Sequence, residues 1–253
     1  MMRIALAFVL GSVACGSSGE GLPDEPPPAE PPPGTCLTVA AKVRDFHATH
    51  PDMERPVDGP DSAYGLQTGM VLPTLGADRT PQYAHAGGIK GVASPDSFHS
   101  WYHDTASGEL ANSAVNVELA LQALPDGSFV FASDAFFPID GAGFGNESTV
   151  QGASRNFHFT TEIHTTFTYV GGEEFTFLGD DDVWVFVNGQ LAIDLGGVHQ
   201  AAESTLDFDA LAGSLGLTLG GKYPLDIFHA ERRTGASNFN FATTIECLES
   251  SLN

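Results

Sequence analysis

Two apolar runs, Val183-Trp184-Val185-Phe186-Val187 and Gln190-Leu191-Ala192-Ile193-Asp194-Leu195, are separated only by Asn188-Gly189. That dipeptide tolerates the positive φ values of a type I′ turn, so β-rich runs flanking it form a tight antiparallel hairpin. The rest of the chain repeats this texture of short apolar or alternating runs broken by Gly, Pro, Asn and Asp. Val115 to Leu121 alternates and is followed by Pro125-Asp126-Gly127 and Phe129-Val130-Phe131, which predicts a second hairpin. From Phe157 to Tyr169 the apolar residues keep one parity and the polar ones the other, predicting a strand with one buried face. Strands are also expected over Tyr223 to His229 and Phe239 to Glu246, the latter leading to Cys247. A short helix is expected at Asp207 to Leu215, where an acidic start precedes Leu211 and Leu215. No long amphipathic helix and no repeat of 20 to 50 residues is visible, so the chain reads as all-β with at most one short helix.

Ten Lys and Arg against 32 Asp and Glu give a formal charge of −22. Such a chain repels phosphate-rich partners, which excludes nucleic acid. Solubility accounts for an acidic surface as well as cation binding does, and the choice depends on whether carboxylates converge.

Met1-Met2-Arg3 followed by the apolar run Ile4 to Leu10 is too short to span a bilayer and reads as a signal segment over residues 1–14. Small residues lead into Cys15, the expected lipidation site, with cleavage by an ordinary signal peptidase as the alternative. Residues 15–35 then form a Pro- and Glu-rich tether with little to bury. One β-domain is expected over 36–248, followed by a tail at 249–253. An exported chain lies where disulfides persist, so Cys36 and Cys247, at the two margins of the domain, are expected to pair. Two separate buried thiols are the alternative. The expected location is lipid-anchored at the outer membrane or cell surface, or extracellular, with membrane contact only through the anchor. The segment from Pro51 to Pro95, rich in Gly, Pro, Asp and His, is expected to form decorating loops.

Several ordered motifs occur together: Val43-Arg44-Asp45-Phe46, His50-Pro51-Asp52-Met53-Glu54, Phe98-His99-Ser100-Trp101-Tyr102-His103-Asp104, Phe136-Phe137-Pro138-Ile139-Asp140 and Phe144-Gly145-Asn146. The most specific is Phe177-Leu178-Gly179-Asp180-Asp181-Asp182-Val183-Trp184, continuing to Asn188-Gly189 and Asp194-Leu195-Gly196-Gly197-Val198-His199. Over most of Val43 to Glu246 this pattern resembles the fibro-slime family, within the superfamily of protective-antigen-type lectin and adhesin domains. The resemblance implies a β-sandwich closing into a barrel. In the adhesin branch it also implies a calcium ion held by consecutive aspartates joined through a cis peptide, and by a later asparagine. Matched residue by residue, these are Asp180, Asp181 and Asn238, with Asn240 near enough to compete for the same register. Asp182, Asp194 and His199 are expected to face ligand.

Three adjacent aspartates repel one another at the start of a strand, where their β-propensity is poor, and a hard cation taking 6 to 8 oxygens would compensate them. A solvated loop is the alternative. The implied function is calcium-dependent binding of glycan or extracellular matrix polysaccharide; a matrix or signalling protein of the same fold without a sugar site is the second reading. Glu231-Arg232-Arg233 reads as an ion pair between Glu231 and one arginine, with ligand contact as the alternative. His158, Glu162 and His164 alternate along a strand and lack the helical spacing of a zinc protease site. No nucleophile elbow or P-loop is present, so no enzyme is expected, a polysaccharide hydrolase being the least favoured reading.

Overall fold

The computed structural model describes residues 37–59, 62–150 and 152–250. The expected signal segment, Cys15, the tether and Cys36 lie outside these residues. The chain opens with β1 (Thr38–Phe46), a long covering segment containing α1 (Pro95–His99), then β2 (Asn112–Ala120), β3 (Gln122–Ala123) and β4 (Phe129–Ser133). A small hairpin, β5 (Ser148–Val150) and β6 (Ala153–Arg155), precedes β7 (Phe159–Thr168), β8 (Glu174–Gly179), β9 (Asp182–Val187), β10 (Gln190–Leu195) and β11 (Ala202–Asp207). After α2 (Phe208–Leu215) come β12 (Lys222–Glu231), β13 (Phe239–Thr243) and β14 (Glu249–Ser250), the last within the expected tail.

Apart from the β5–β6 hairpin, which stands as its own two-stranded sheet, the described strands form two antiparallel sheets. The larger has the order β10-β9-β12-β7-β1-β2, with β14 also paired to β7; the smaller is β11-β8-β13-β4-β3. Phenylalanines, valines and leucines from the facing sides fill the space between them, including Phe159, Ile163, Phe167, Phe175, Phe177, Val185, Ile227, Phe239 and Phe241. The expected closure into a barrel is overturned. No ladder among the described residues joins β10 or β2 to β11 or β3, so both sheets keep free edges and the fold is an open sandwich.

The β9–β10 hairpin forms as expected, with φ of 51° at Asn188 and 72° at Gly189. The second expected hairpin divides instead. Only the two-residue β3 pairs with β4 across Pro125-Asp126-Gly127, while β2 belongs to the larger sheet on β1. The alternating pattern of Val115 to Leu121 could not disclose this, because the chain changes sheets at Leu121 without a change in periodicity. Among the described residues there are two short helices rather than one. The expected α2 is capped by the Asp207 side chain, which accepts the Ala210 N–H, and ends at Gly216 with φ 68°. The unexpected α1 begins with a capping box between Ser94 and Ser97.

The expectation of one buried face on β7 is corrected as well. Phe159 to Thr165 is buried on both faces because the segment between β1 and β2 lies over the outer side of the larger sheet. Met70, Val71, Val92, Phe98, Trp101 and Tyr102 pack there against Trp184, Phe186, Phe228 and Ala230. These loops are thus a packed third layer and not decoration alone.

Under this layer the polar face of β7 is ion-paired. Glu162 accepts from Arg44 at 2.8 Å, and His164 Nδ1 lies 2.8 Å from Asp226 Oδ1, which also accepts from Arg79. Burial pulls the His164 pKa down, but Asp226 and Glu162 outweigh it and hold it above the ordinary histidine value. A raised folded pKa stabilises below the unfolded value of about 6.5 and ceases to do so as pH rises through the folded one. The stability difference between wild type and His164→Gln should therefore shrink between pH 6 and 9, as read by urea midpoints. A constant difference would show that His164 folds uncharged.

Candidate cation and ligand site

Three connections that pass between the two sheets emerge at one end of the sandwich. Asp180-Asp181 links β8 of the smaller sheet to β9 of the larger, residues 232–238 return from β12 to β13, and residues 196–201 lead from β10 to β11. Pairing fixes their proximity: Asp182 lies opposite Ala230, and Gly179 opposite both Phe239 and Ala202. A Cβ on Gly179 would lie 2.4 Å from Asn238 O, so glycine is what lets the strands approach this closely.

Asp180 and Asp181 are each 5 % exposed, and the peptide bond between them is cis. The Asp180 carboxylate accepts from Asn238 N–H at 2.6 Å and from Asn238 Nδ2 at 2.7 Å; its carbonyl lies 2.8 Å from His229 Nε2. His229 is fully buried, and that burial holds its pKa down to about 4. Asp181 Oδ2 accepts from Arg232 N–H at 3.2 Å. Burial raises both aspartate pKa values. At Asp180 the hydrogen bonds from Asn238 oppose the rise; at Asp181 the charge of Arg232 opposes it and that of Asp182 adds to it.

The structure brings Asn238 to the pair and not Asn240, whose side chain accepts from Ser133 N–H and donates to Leu178 O. The structure turns Asp182 inward. It is fully buried, accepting from Arg232 Nε and Gly197 N–H, both at 2.6 Å. Asp194 is likewise engaged, accepting from Trp184 Nε1 at 2.9 Å and from Gly69 N–H at 2.7 Å, which fastens the covering layer to β10. His199 does line the pocket, with its two ring nitrogens at 2.7 and 3.0 Å from the Gln200 and Leu195 carbonyls.

The pocket beside the aspartate pair has a volume of about 260 Å³, with Val57, Tyr64, Gln200, Arg233 and Thr234 among its walls. Tyr64 is 51 % exposed and comes from the covering layer, where it bridges to Val198. A larger cavity of about 520 Å³ lies between residues 76–83 and α1 and shares no lining residue with this pocket. Its Asp78 and His103 are bonded to each other at 2.9 Å, so the smaller pocket is the better candidate.

Sequence reasoning missed Glu54. Burial pushes the Glu54 pKa up, but hydrogen bonds from His158 and Thr234 outweigh it and pull it down to about 2. Through Thr234 and Arg233, Glu54 ties the β12–β13 connection to the covering layer. Its place in the His50–Glu54 motif was the available signal. Glu231, expected in an ion pair with an arginine, has none: Arg232 pairs with Asp182, and the Arg233 side chain donates to Glu54 and Arg55 O.

Residues 138–248 match the model of the PA14 domain. Protein psiC of Dictyostelium discoideum is 43% identical over 230 residues, covering 84% of this chain and 42% of that protein. Protein psiD of the same organism is 41% identical over 191 residues, covering 72% and 36%. The chain spans about two fifths or less of the length of these curated relatives. A solved structure, the epithelial adhesin 9 A domain from Candida glabrata in complex with Galb1-4GlcNAc, aligns with TM-score 0.35 at 11% identity, covering 88% of this chain and 96% of that one. The chain therefore contains a PA14-type domain. It is a relative of the Dictyostelium psi proteins, consistent with the fibro-slime assignment.

Proposed function

We propose that this end of the sandwich binds glycan through a calcium ion held by Asp180, Asp181 and Asn238. The observation that carries the reading is the convergence of the Asp180-Asp181 connection with Asn238 at the head of a pocket. The donor types fit a hard cation, being carboxylate oxygens and a side-chain amide oxygen. No three His, Cys, Asp or Glu side chains among the described residues group closely enough to hold a metal. The proposed set needs only two carboxylates, its third donor being an amide. Calcium would supply open coordination positions to vicinal sugar hydroxyls, while Tyr64 offers an aromatic face and Gln200 and Thr234 offer hydrogen bonds.

The role is binding, not catalysis. Asp180 and Asp182 are held by N–H groups and a guanidinium, which leaves neither poised for proton transfer. Among the described residues no helix is long and apolar enough to cross a membrane. We assign the domain to the cell surface or extracellular space, with Cys15 as the lipid anchor.

Glycan-array binding with and without chelator tests the reading. Asp180→Asn with Asp181→Asn should lose glycan binding by at least about a hundredfold while its circular dichroism is retained. Calcium titration by calorimetry unchanged in that variant would overturn the site. Chelator-insensitive wild type without glycan binding would favour a matrix protein of the same fold.

A further inference from the structure

Most members of the motif from Phe98 to Asp104 have a task inside the covering layer. Phe98, Trp101 and Tyr102 pack on the larger sheet, Ser100 Oγ lies 3.0 Å from His50 Nε2, and Asp104 accepts from Arg44. His103 is held between Asp78 Oδ2 at 2.9 Å and the His99 carbonyl at 2.8 Å. The His99 ring is exposed and stacks on His103 with centroids 3.6 Å apart, yet it has no hydrogen-bond partner among the described residues. Burial, and then the neighbouring His103, holds its pKa below the ordinary histidine value, so the ring is uncharged at neutral pH. Both histidines stand on the wall of the cavity of about 520 Å³ between residues 76–83 and α1, a volume within the ~300–1,000 Å³ of small-ligand sites.

The chemistry of that wall is one-sided. Tyr83, Phe98, His99 and His103 supply four rings, Asp78 and Asp96 supply two carboxylates, and among the described residues no lysine or arginine lines it. Arg79, beside Asp78 in sequence, gives its guanidinium to Asp226 instead. Asp78 is satisfied by His103 and by the N–H and hydroxyl of Thr80, whereas the Asp96 carboxylate has no partner among the described residues. The walls are fixed before any ligand arrives: Tyr83 stacks on Phe98 at 5.1 Å, Phe98 lies 4.9 Å from Trp101, and Leu75 N–H donates to Gly189 O. An organic cation suits all of these features, since ring faces attract it through their quadrupole and an unpaired carboxylate balances it, while an anion would be repelled. A metal ion fits less well, because no three His, Cys, Asp or Glu side chains among the described residues group closely enough to hold one. We propose that this cavity is a second binding site, independent of calcium, that takes an organic ammonium group, with Tyr83 as the ring face it lies on and Asp96 as its counter-charge.

Calorimetry of the full chain in chelator, with choline and putrescine as probes, tests the site whether or not the Asp180–Asp181 end holds calcium. At least one of the two should bind saturably. Dimethylbutanol, the neutral carbon counterpart of choline, should bind at least about fivefold more weakly than choline, because it lacks the charge that a ring face attracts. Choline the tighter probe would give the ring faces the larger part, and putrescine the tighter would give it to Asp96; either order supports the site. Tyr83→Leu and Asp96→Asn should each weaken binding at least about fivefold. No saturable heat with either probe overturns the proposal. So does binding that both variants leave within twofold of wild type, which is the mark of diffuse attraction to an acidic surface. Asp96 is exposed and its side chain holds nothing in place, so Asp96→Asn alone decides the matter should Tyr83→Leu fail to fold.

Discussion

Replacing Arg232 with methionine should cost about 3–5 kcal/mol of unfolding free energy, the range for breaking a buried ion pair by removing one partner. Both Arg232 and Asp182 are fully buried. Burial works to lower the Arg232 pKa, but Asp182 outweighs it and keeps the guanidinium charged. Methionine retains much of the aliphatic volume and the contact with Trp101, yet it leaves the Asp182 carboxylate with only Gly197 N–H, and the Gly91 carbonyl loses its donor. Urea denaturation would read the loss. Adding Asp182→Asn should restore part of it, since a neutral amide no longer demands a cation, whereas the two changes would be additive if the ion pair contributed nothing. A loss below about 1 kcal/mol in the single variant would mean that water reaches Asp182.

The second large effect concerns Cys247, which is disulfide-bonded. We propose Cys36 as its partner. Both chain margins lie on β7: β1 pairs with it from Ala41 to Asp45 and β14 pairs with Thr165 and Thr166, while Ala40 N–H donates to Ser250 Oγ at 2.8 Å. A bridge there closes nearly the whole domain into one loop, and the chain-entropy estimate for a loop of that length is roughly 5 kcal/mol. Reduction, or Cys247→Ser, should lower stability by a substantial part of that amount, and Cys36→Ser should reproduce it. If Cys36→Ser leaves the domain unchanged while Cys247→Ser destabilises it, the pairing is wrong and Cys15 becomes the partner to test.

How much of the candidate site was legible follows from what each residue has to do. Asp180 and Asp181 stand out because acidic residues in tandem are poor strand formers, and their position before the Trp184 strand is visible in the sequence. Asn238 was legible only through the family pattern, since its distance from Asp180 depends on Gly179 lying opposite Phe239. Asp182 was placed at the ligand because it stands one place beyond the pair, and Asp194 because it flanks the Leu195–Val198 turn near the same edge. A carboxylate at the surface and one buried against an arginine or an indole look alike in sequence, and the register alone separates them. The same reason misassigned Glu231: neighbouring arginines suggest an ion pair until the strand direction sends them to other partners.

The amino-acid sequence by itself determined the local structure: the Asn188-Gly189 hairpin, the Asp207-capped helix, the strand at β12 and the strandlike texture throughout. These depend on φ preference, capping and side-chain alternation, which act over a few residues. Only the tertiary structure decided that the sheets stay open, that β2 and β3 separate into different sheets, and that the 47–111 segment buries the second face of β7. Each of these depends on pairing and packing between segments far apart in the chain, and a strand's own periodicity does not say which neighbour will cover it.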